Sequence, residues 1–450
     1  MKSIISLLLF IVLFLWIFTI YFTDKKRFRL VEYNKGEKYL LSRNMYFIIL
    51  TVCTAPMFLI PYALLKYELW FGTMLFLLFS GRIKLKIDTT MTMYMVFFFW
   101  LCFAMTYTSR MWQGTMMLVK YSLPLLFLYL GYSSLSNEKD LIIFLKVVNW
   151  TGCVYCFIMG GFAQHFLPWL YRFLMDILSV YAAFADFLVV IFIVPIILYW
   201  LTKDKKYIYC ALWMVLSTVL QSVRTGMGGM VLVFMFAMFL RYKQKSLPGI
   251  FFAGAVFIGV ILFVPSVNEK FFGEDAGTVT GGDMVQGNAL SLDNIDMNGR
   301  EYLWENAKKY CYQGHEMKGK GLGEAEYFCK FLMYEDRRES KMHNDYIVLL
   351  CDTGNIGVGL LILFYVVVLL KVFAHVVLRK STVLVKLTGI MALSSMAGIA
   401  FCMYFDNVVS NSMQSMIMPY IYLGFFLKAL DLEGKDRRTL AILRFRRERE

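Results

Sequence analysis

The chain is expected to be an all-α polytopic membrane protein with about 12–13 transmembrane helices and one large loop on the outer face. Three observations predict this. Of the 450 residues, 59% are hydrophobic and 17% aromatic, and the mean hydropathy is +0.60, outside the range of ordinary soluble domains. Apolar runs of roughly 16–24 residues recur along the chain, long enough for a helix to cross a bilayer core of about 30 Å. The runs lack the alternation of barrel strands, and only helices and closed barrels satisfy their backbone in lipid.

Taken in order, the spans fall at about 3–23, 45–65, 69–80, 91–107, 113–132, 141–163, 178–201, 207–223, 226–240, 249–264, 346–370, 384–405 and 413–430. The organisation that follows is about ten N-terminal spans in 1–264, a large extracytoplasmic loop at 265–345, C-terminal spans in 346–430 and a basic tail at 431–450. The run from Ile4 to Phe22 follows Lys2 as the core of a secretory signal would. No small-residue cleavage site follows it, only Thr23-Asp24-Lys25-Lys26-Arg27, so it reads as a retained span.

Charge sets the orientation. Connections 24–44, 81–88, 133–140, 203–206, 241–245 and 371–386, with the tail, carry about 28 lysines and arginines; the opposite short loops and ends carry about four. The first set is expected in the cytoplasm, with the N-terminus and the 265–345 loop outside. The formal net charge of +14 is therefore topology information and implies no nucleic acid partner. Cys53, Cys102, Cys153, Cys156 and Cys210 lie in apolar runs, where they pack as small hydrophobes. Cys311 and Cys329 share the outer loop, and a disulfide between them stays open. His165, His315, His343 and His375 are scattered without HExxH spacing, so no metal is expected.

Within the outer loop, Gly273 to Asn298 is rich in Gly, Asp, Asn and Thr and reads as mobile chain. Structure is expected from Arg300 onward. Asn298 and Glu301 form a capping-box pattern, and Gly314 is placed to end the helix. Tyr302, Leu303, Trp304, Ala307 and Tyr310 give that helix an apolar side, expected to rest on the bilayer interface.

Three residues stand out as carriers of chemistry. Arg224 lies in an outer hairpin beside Gly226, Gly228 and Gly229; an arginine at membrane depth is costly unless paired or wetted, the bland alternative being one that snorkels to the interface. Arg300 opens a helix, so its guanidinium and the free N–H groups of the first turn form an anion site suited to phosphate; a solvated surface arginine is the competing reading. His343 closes the loop beside Asn344 and Asp345. A histidine there can serve as general base, or be structural, with Asn344 capping the next helix or orienting the imidazole. Asp186 and Lys120 break apolar runs, as a buried pair or part of a lipid path. Asp406 and Asn407 are placed to line the same outer cavity. The run from Gly319 through Gly321 to Gly323 is not a P-loop, since no Lys-Ser/Thr follows.

The order of these features resembles the O-antigen ligase and polymerase superfamily, membrane glycosyltransferases of bacterial surface polysaccharide assembly. Arg224-Thr225-Gly226 is followed by a long loop with Gly-Arg-x-x-x-Trp at Gly299–Trp304, then Gly-x-Gly-x-Gly at Gly319–Gly323. His343-Asn344-x-Tyr346 follows, before a span with Gly354, Gly357 and Gly359. The resemblance covers about 221–360, and the earlier spans match only in being hydrophobic. It implies a GT-C-type inner-membrane enzyme acting on undecaprenyl-diphosphate-linked glycan at the periplasmic face. Arg224 and Arg300 would hold the donor diphosphate and His343 would activate the acceptor hydroxyl, with Asn344, Gly321, Gly323 and Asp406 in support. The reaction implied is inverting and needs no metal or cofactor. Chain-length regulator and flippase proteins are the implied partners besides the bilayer. The family commonly has twelve spans with both ends in the cytoplasm, from which a count of thirteen departs. Repeat-unit polymerase is favoured over O-antigen ligase, on the further cations Lys318, Lys320, Arg337, Arg338 and Lys341. A transporter of lipid-linked sugars is the reading from another class. It is disfavoured because the candidate groups sit at the outer rim and no internal repeat is evident.

Overall fold

The computed structural model describes residues 29–31, 39–41, 87–160, 162–169, 184–272, 300–329, 342–409 and 414–447. The helices run α1 Thr89–Ala104, α2 Met111–Ser134, α3 Glu138–Met159, α4 Phe184–Ile191, α5 Ile193–Thr202, α6 Lys206–Leu220, α7 Arg224–Tyr242 and α8 Leu247–Phe263. They continue with α9 Pro265–Phe272, α10 Arg300–Ala307, α11 Asp345–Phe373, α12 Val383–Phe405 and α13 Gln414–Arg447. One short parallel strand pair, Arg29–Val31 with Tyr39–Leu41, is also described.

The chain is an all-α polytopic membrane protein. Seven stretches among the described residues are long and apolar enough to cross a membrane, and α1 and α6 are shorter apolar helices. Helices α4 and α5 form one such stretch, Phe184–Thr202; α7 and α8 form another, Arg224–Phe263, divided by a 3-10 turn at Lys243–Ser246. Each of the expected spans beyond residue 87 corresponds to a described helix, with α4 and α5 sharing one. The expected spans 3–23, 45–65 and 69–80, and the outward N-terminus, lie outside the described residues, as does the 273–298 segment.

The core is aromatic and interlocked across spans. Tyr94 of α1 meets Phe364 of α11 and Tyr420 of α13 edge to face, at ring separations of 5.1 and 5.4 Å, while Phe364 and Tyr420 stack. The outer surface of the bundle is apolar: Phe251, Phe252 and Phe263 on α8 are more than two-thirds exposed, a face that lipid covers. Helix α7 docks antiparallel on α12 through small residues. A Cβ on Gly228 would meet the Phe401 ring at 2.8 Å, and one on Gly398 would meet Val233 at 2.5 Å.

Contacts sort the connections into two ends. At one end, Thr108 Oγ1 donates to the Leu322 carbonyl (2.9 Å) and His343 meets Asp406. At the other, Lys371 pairs with Asp88, Tyr132 donates to Asp431, and Arg241 lies over Trp200. The basic connections of the described residues gather at this second end, the alternation that the charge pattern predicts.

One span is broken. Gly354 in α11 has φ 66° and ψ −168°, non-helical values inside an apolar stretch that reads in sequence as one uninterrupted span. The outer loop repairs the break with its own backbone. Asn355 and Ile356 N–H groups donate to the Glu316 and Met317 carbonyls (2.8 and 3.2 Å), and Lys320 and Gly321 N–H groups donate to Cys351 and Asp352 carbonyls (2.9 and 3.1 Å). Freed backbone groups at membrane depth need such partners. Gly319, Gly321 and Gly323 all have positive φ, and a Cβ on Gly321 would meet Thr108 at 2.6 Å. The buried Asp352 carboxylate then takes the Gly323 and Ala325 N–H groups (2.7 and 2.9 Å). The glycine run is a plug for a broken helix.

One loop expectation is corrected. The buried stripe of α10 and the following π turn is Leu303, Trp304, Ala307 and Cys311, packed on protein, whereas Tyr302 and Tyr310 are more than half exposed. Cys311 and Cys329, whose pairing the sequence leaves open, are free thiols.

Candidate active site

The tight segment after α12, residues 405–409, is where the predicted residues converge. Asp406 ends α12 with extended backbone, its N–H still donating to the Cys402 carbonyl (2.8 Å). Its carboxylate accepts the Asn407 N–H (2.7 Å) and faces His343 Nδ1 at 3.3 Å. A carboxylate beside Nδ1 selects the tautomer with the proton there, which leaves the lone pair at Nε2. Asn407 Oδ1 accepts the His343 backbone N–H (2.7 Å), so side chain and main chain of the histidine are both held by one dipeptide.

His343 itself has φ 50°, in the left-handed region. Three anchors hold it there. Before it, the Met342 carbonyl accepts the Trp304 indole N–H (2.8 Å). After it, the Asn344 side chain caps α11 by accepting the Tyr346 and Ile347 N–H groups (both 3.0 Å). The Asp345 carboxylate accepts the Val409 N–H (2.9 Å), closing the same loop from below. Of the three successive polar residues, Asn344 and Asp345 are fully buried in these structural tasks. The His343 side chain retains 22% exposure and Asp406 retains 14%. The partly exposed member is the one whose chemistry can reach a ligand.

Arg300 stands at the first position of α10, and its Nη1 donates to the Phe405 carbonyl, one residue from Asp406 (2.5 Å). Its Nε is buried without a hydrogen-bond partner among the described residues, as is Asn407 Nδ2. Two buried donors so placed are costly unless a guest accepts from them. Arg224 begins α7, with its guanidinium 5.7 Å from the Phe271 ring centroid. Because Gly228 packs on Phe401 in antiparallel helices, one turn further along each brings Arg224 level with Phe405. Arg300, His343 and Asp406 are thus joined through 405–407, and Arg224 is brought to the same end on the adjacent helix. Gly321 and Gly323 lie apart, in the plug.

No hydrogen bond joins Asp186 to Lys120, since both Asp186 carboxylate oxygens lack a hydrogen-bond partner among the described residues. Asp186 is fully buried and interacts with Cys402, Asp406 and Asp345, and Lys120 acts on Asp345. Three carboxylates from separate spans therefore lie within electrostatic reach of one another. Among the described residues, no group of three or more His, Cys, Asp or Glu side chains is placed to hold a metal ion.

Sequence reasoning did not single out Asp352 or Glu324. Asp352 lies two turns after Asp345 in what reads as a plain span, and a carboxylate in an apolar run was the available signal. Glu324 holds the α1–α2 connection by accepting the Ser109 N–H (2.9 Å), for which spacing offered no signal.

Fold and site together define a polytopic membrane protein with a histidine–carboxylate pair, and with Arg224 and Arg300 brought to the same end of the bundle. Residues 209–364 match the family model described as O-antigen ligase, which supports membership of the O-antigen ligase and polymerase superfamily. The family implies a glycosyltransferase-like enzyme of ligase or polymerase type. The matched segment contains Arg224, Arg300 and His343 and stops before Asp406. No curated protein sequence matches the chain.

Proposed function

We propose that the protein is a glycosyltransferase of the bacterial inner membrane that transfers glycan from undecaprenyl diphosphate at the periplasmic face, as the repeat-unit polymerase of a surface polysaccharide. The observation that carries this is the pair of buried donors without a partner among the described residues, Arg300 Nε and Asn407 Nδ2, beside a partly exposed imidazole backed by Asp406. In the reaction, the acceptor hydroxyl gives its proton to His343 Nε2 as its oxygen bonds to the anomeric carbon. The bond from that carbon to the diphosphate breaks, and Arg300 and Arg224 stabilise the charge on the departing group. Attack opposite the leaving group inverts the anomeric centre. Because arginines supply the positive charge, transfer by the purified protein should be unchanged by EDTA.

Arg300→Lys and Arg224→Lys should each lose most activity at normal protein level. Lysine keeps the charge but not the planar fork that grips two phosphate oxygens. Wild-type turnover in either variant would return that arginine to a structural role.

Orientation is tested by labelling. Cysteines introduced at Asp275 and Glu335 should react with a membrane-impermeant thiol reagent, and those at Lys205 and Arg438 should not. The reverse pattern would place the site in the cytoplasm and end this reading.

The polymerase is favoured over the ligase because it must hold two anionic lipid-linked substrates, and Lys318, Lys320, Arg337, Arg338 and Lys341 add cations to the loop. Deleting a polymerase should leave single repeat units on their final carrier. Full-length glycan stranded on undecaprenyl diphosphate would identify the ligase instead.

A further inference from the structure

We infer that a basic cavity at the end of the bundle opposite His343 binds the headgroup of an anionic glycerophospholipid. The placement follows from three helices that each join the two ends. Helix α7 begins at Arg224 and ends at Tyr242, α11 begins at Asp345 and runs on into the π turn Ala374–Leu378, and α12 returns from Val383 to Phe405. At about 1.5 Å per residue, the 19 residues of α7 and the 23 of α12 span about 28 and about 34 Å, the thickness of a bilayer core. The far ends of these helices enclose the cavity. The inference needs only the membrane-spanning fold and stands apart from the transferase reading.

The cavity has a volume of about 360 Å³, and its lining includes Arg241, Lys243, Arg379, Lys380 and Lys386 but no carboxylate. Glu433 of α13 comes near, accepting the Thr382 N–H (2.8 Å), without lining it. Its floor is apolar, from buried Leu240, Val376 and Ile390. Five cations around an apolar floor favour an anion that carries its own apolar part. The cations are also set in place. Arg241 lies over the Trp200 ring at 4.7 Å. His375 donates from Nδ1 to the Lys371 carbonyl (3.0 Å), so its Nε2 accepts from Arg379 Nη1 (3.0 Å) and aims that guanidinium. The wall that carries His375 and Val376 is the π turn, a rare distortion that recurs at functional sites.

A lipid is favoured over free phosphate by the cavity's surroundings. Leu378 is 70% exposed, Leu370 62% and Phe239 41%, so the rim continues along α11 and α7 into the apolar belt that acyl chains cover. At ~30 Å³ per water, the volume holds roughly a dozen waters, space that a phosphodiester and its glycerol can fill.

The test is lipid titration of the purified full-length protein in detergent, read by native mass spectrometry. Phosphatidylglycerol should bind at least tenfold more tightly than phosphatidylcholine, and inorganic phosphate should not displace it. The Arg241→Gln, Lys243→Gln, Arg379→Gln triple variant should bind phosphatidylglycerol at least tenfold more weakly. All three side chains are exposed, so thermal unfolding without added lipid should match wild type. If the triple variant does not purify, Lys243→Gln alone should weaken binding threefold or more. A Lys203→Gln, Lys205→Gln control, on the same side of the bundle, should leave binding unchanged. Equal affinity for the two lipids, unchanged affinity in the cavity variants or an equal loss in the control would each overturn the inference. Displacement by inorganic phosphate would reassign the cavity to a free anion and overturn the lipid as well.

Discussion

His343→Ala is expected to lower glycan transfer by about 10²–10⁴, the usual contribution of a positioned general base, while leaving donor binding nearly intact. Donor affinity should persist because the arginines remain, and the Arg300 anchor on the Phe405 carbonyl does not involve the imidazole. Alanine also enters a backbone position with φ 50°, so a loss could reflect strain in the loop instead of missing chemistry. His343→Asn separates the two, since asparagine tolerates the left-handed region yet offers no base at neutral pH. Both variants should be equally inactive, and the Asn variant should unfold at close to the wild-type temperature. Asp406→Asn should cause a smaller loss than either, because the amide keeps an acceptor for Asn407 while giving up the carboxylate that fixes the imidazole tautomer. Turnover near wild type in His343→Asn would remove the general base from the mechanism.

The second large effect is on stability. Gly354→Ala should destabilise the folded protein by an amount on the order of several kcal/mol. Its backbone lies at φ 66°, ψ −168°, a region that is essentially glycine's alone and costs other residues on the order of 1–3 kcal/mol. An added Cβ would also overlap the Met317 carbonyl and approach Gly319 N at 2.6 Å, an overpacking worth roughly 1–3 kcal/mol more. Relief would require the plug to leave, exposing the Asn355 and Ile356 donors at membrane depth. Gly359, five residues along the same helix, has nothing within 4 Å of a built Cβ. Gly359→Ala should therefore match or slightly exceed wild-type stability. Thermal unfolding of the two variants in one detergent reads the contrast directly. Equal behaviour would mean that the break in α11 is not fixed by the loop.

These two cases also mark how far the sequence could be read. His343 was visible because it closes the polar loop at the start of an apolar run, within an ordered set of motifs, and hydropathy placed the spans because burial in lipid depends on composition more than on partners. The break at Gly354 was hidden for the same reason: a hydropathy window over 346–370 averages through one residue. Gly321 and Gly323 were named in support of the site, whereas the structure uses the glycine run on Asp352, Thr108 and the broken helix. Tyr302 and Tyr310 were grouped with Leu303, Trp304 and Ala307 on one apolar side expected to rest on the bilayer interface, but the buried face is set by packing on protein, as where Trp304 meets Met342 and Tyr404. Convergence of Asp186, Asp345 and Asp406 depends on packing among α4, α11 and α12, and no local spacing encodes it.

The central claim is that this site moves glycan from a lipid diphosphate to an acceptor. It is tested most directly by giving the purified protein a defined undecaprenyl-diphosphate-linked oligosaccharide in detergent and quantifying both products by mass spectrometry. The account predicts that undecaprenyl diphosphate is released in equal amount to glycan joined to a second lipid-linked acceptor, and that neither product forms with His343→Asn. Intact donor that is never cleaved, but that crosses the bilayer when the protein is placed in proteoliposomes, would contradict it and identify a transporter.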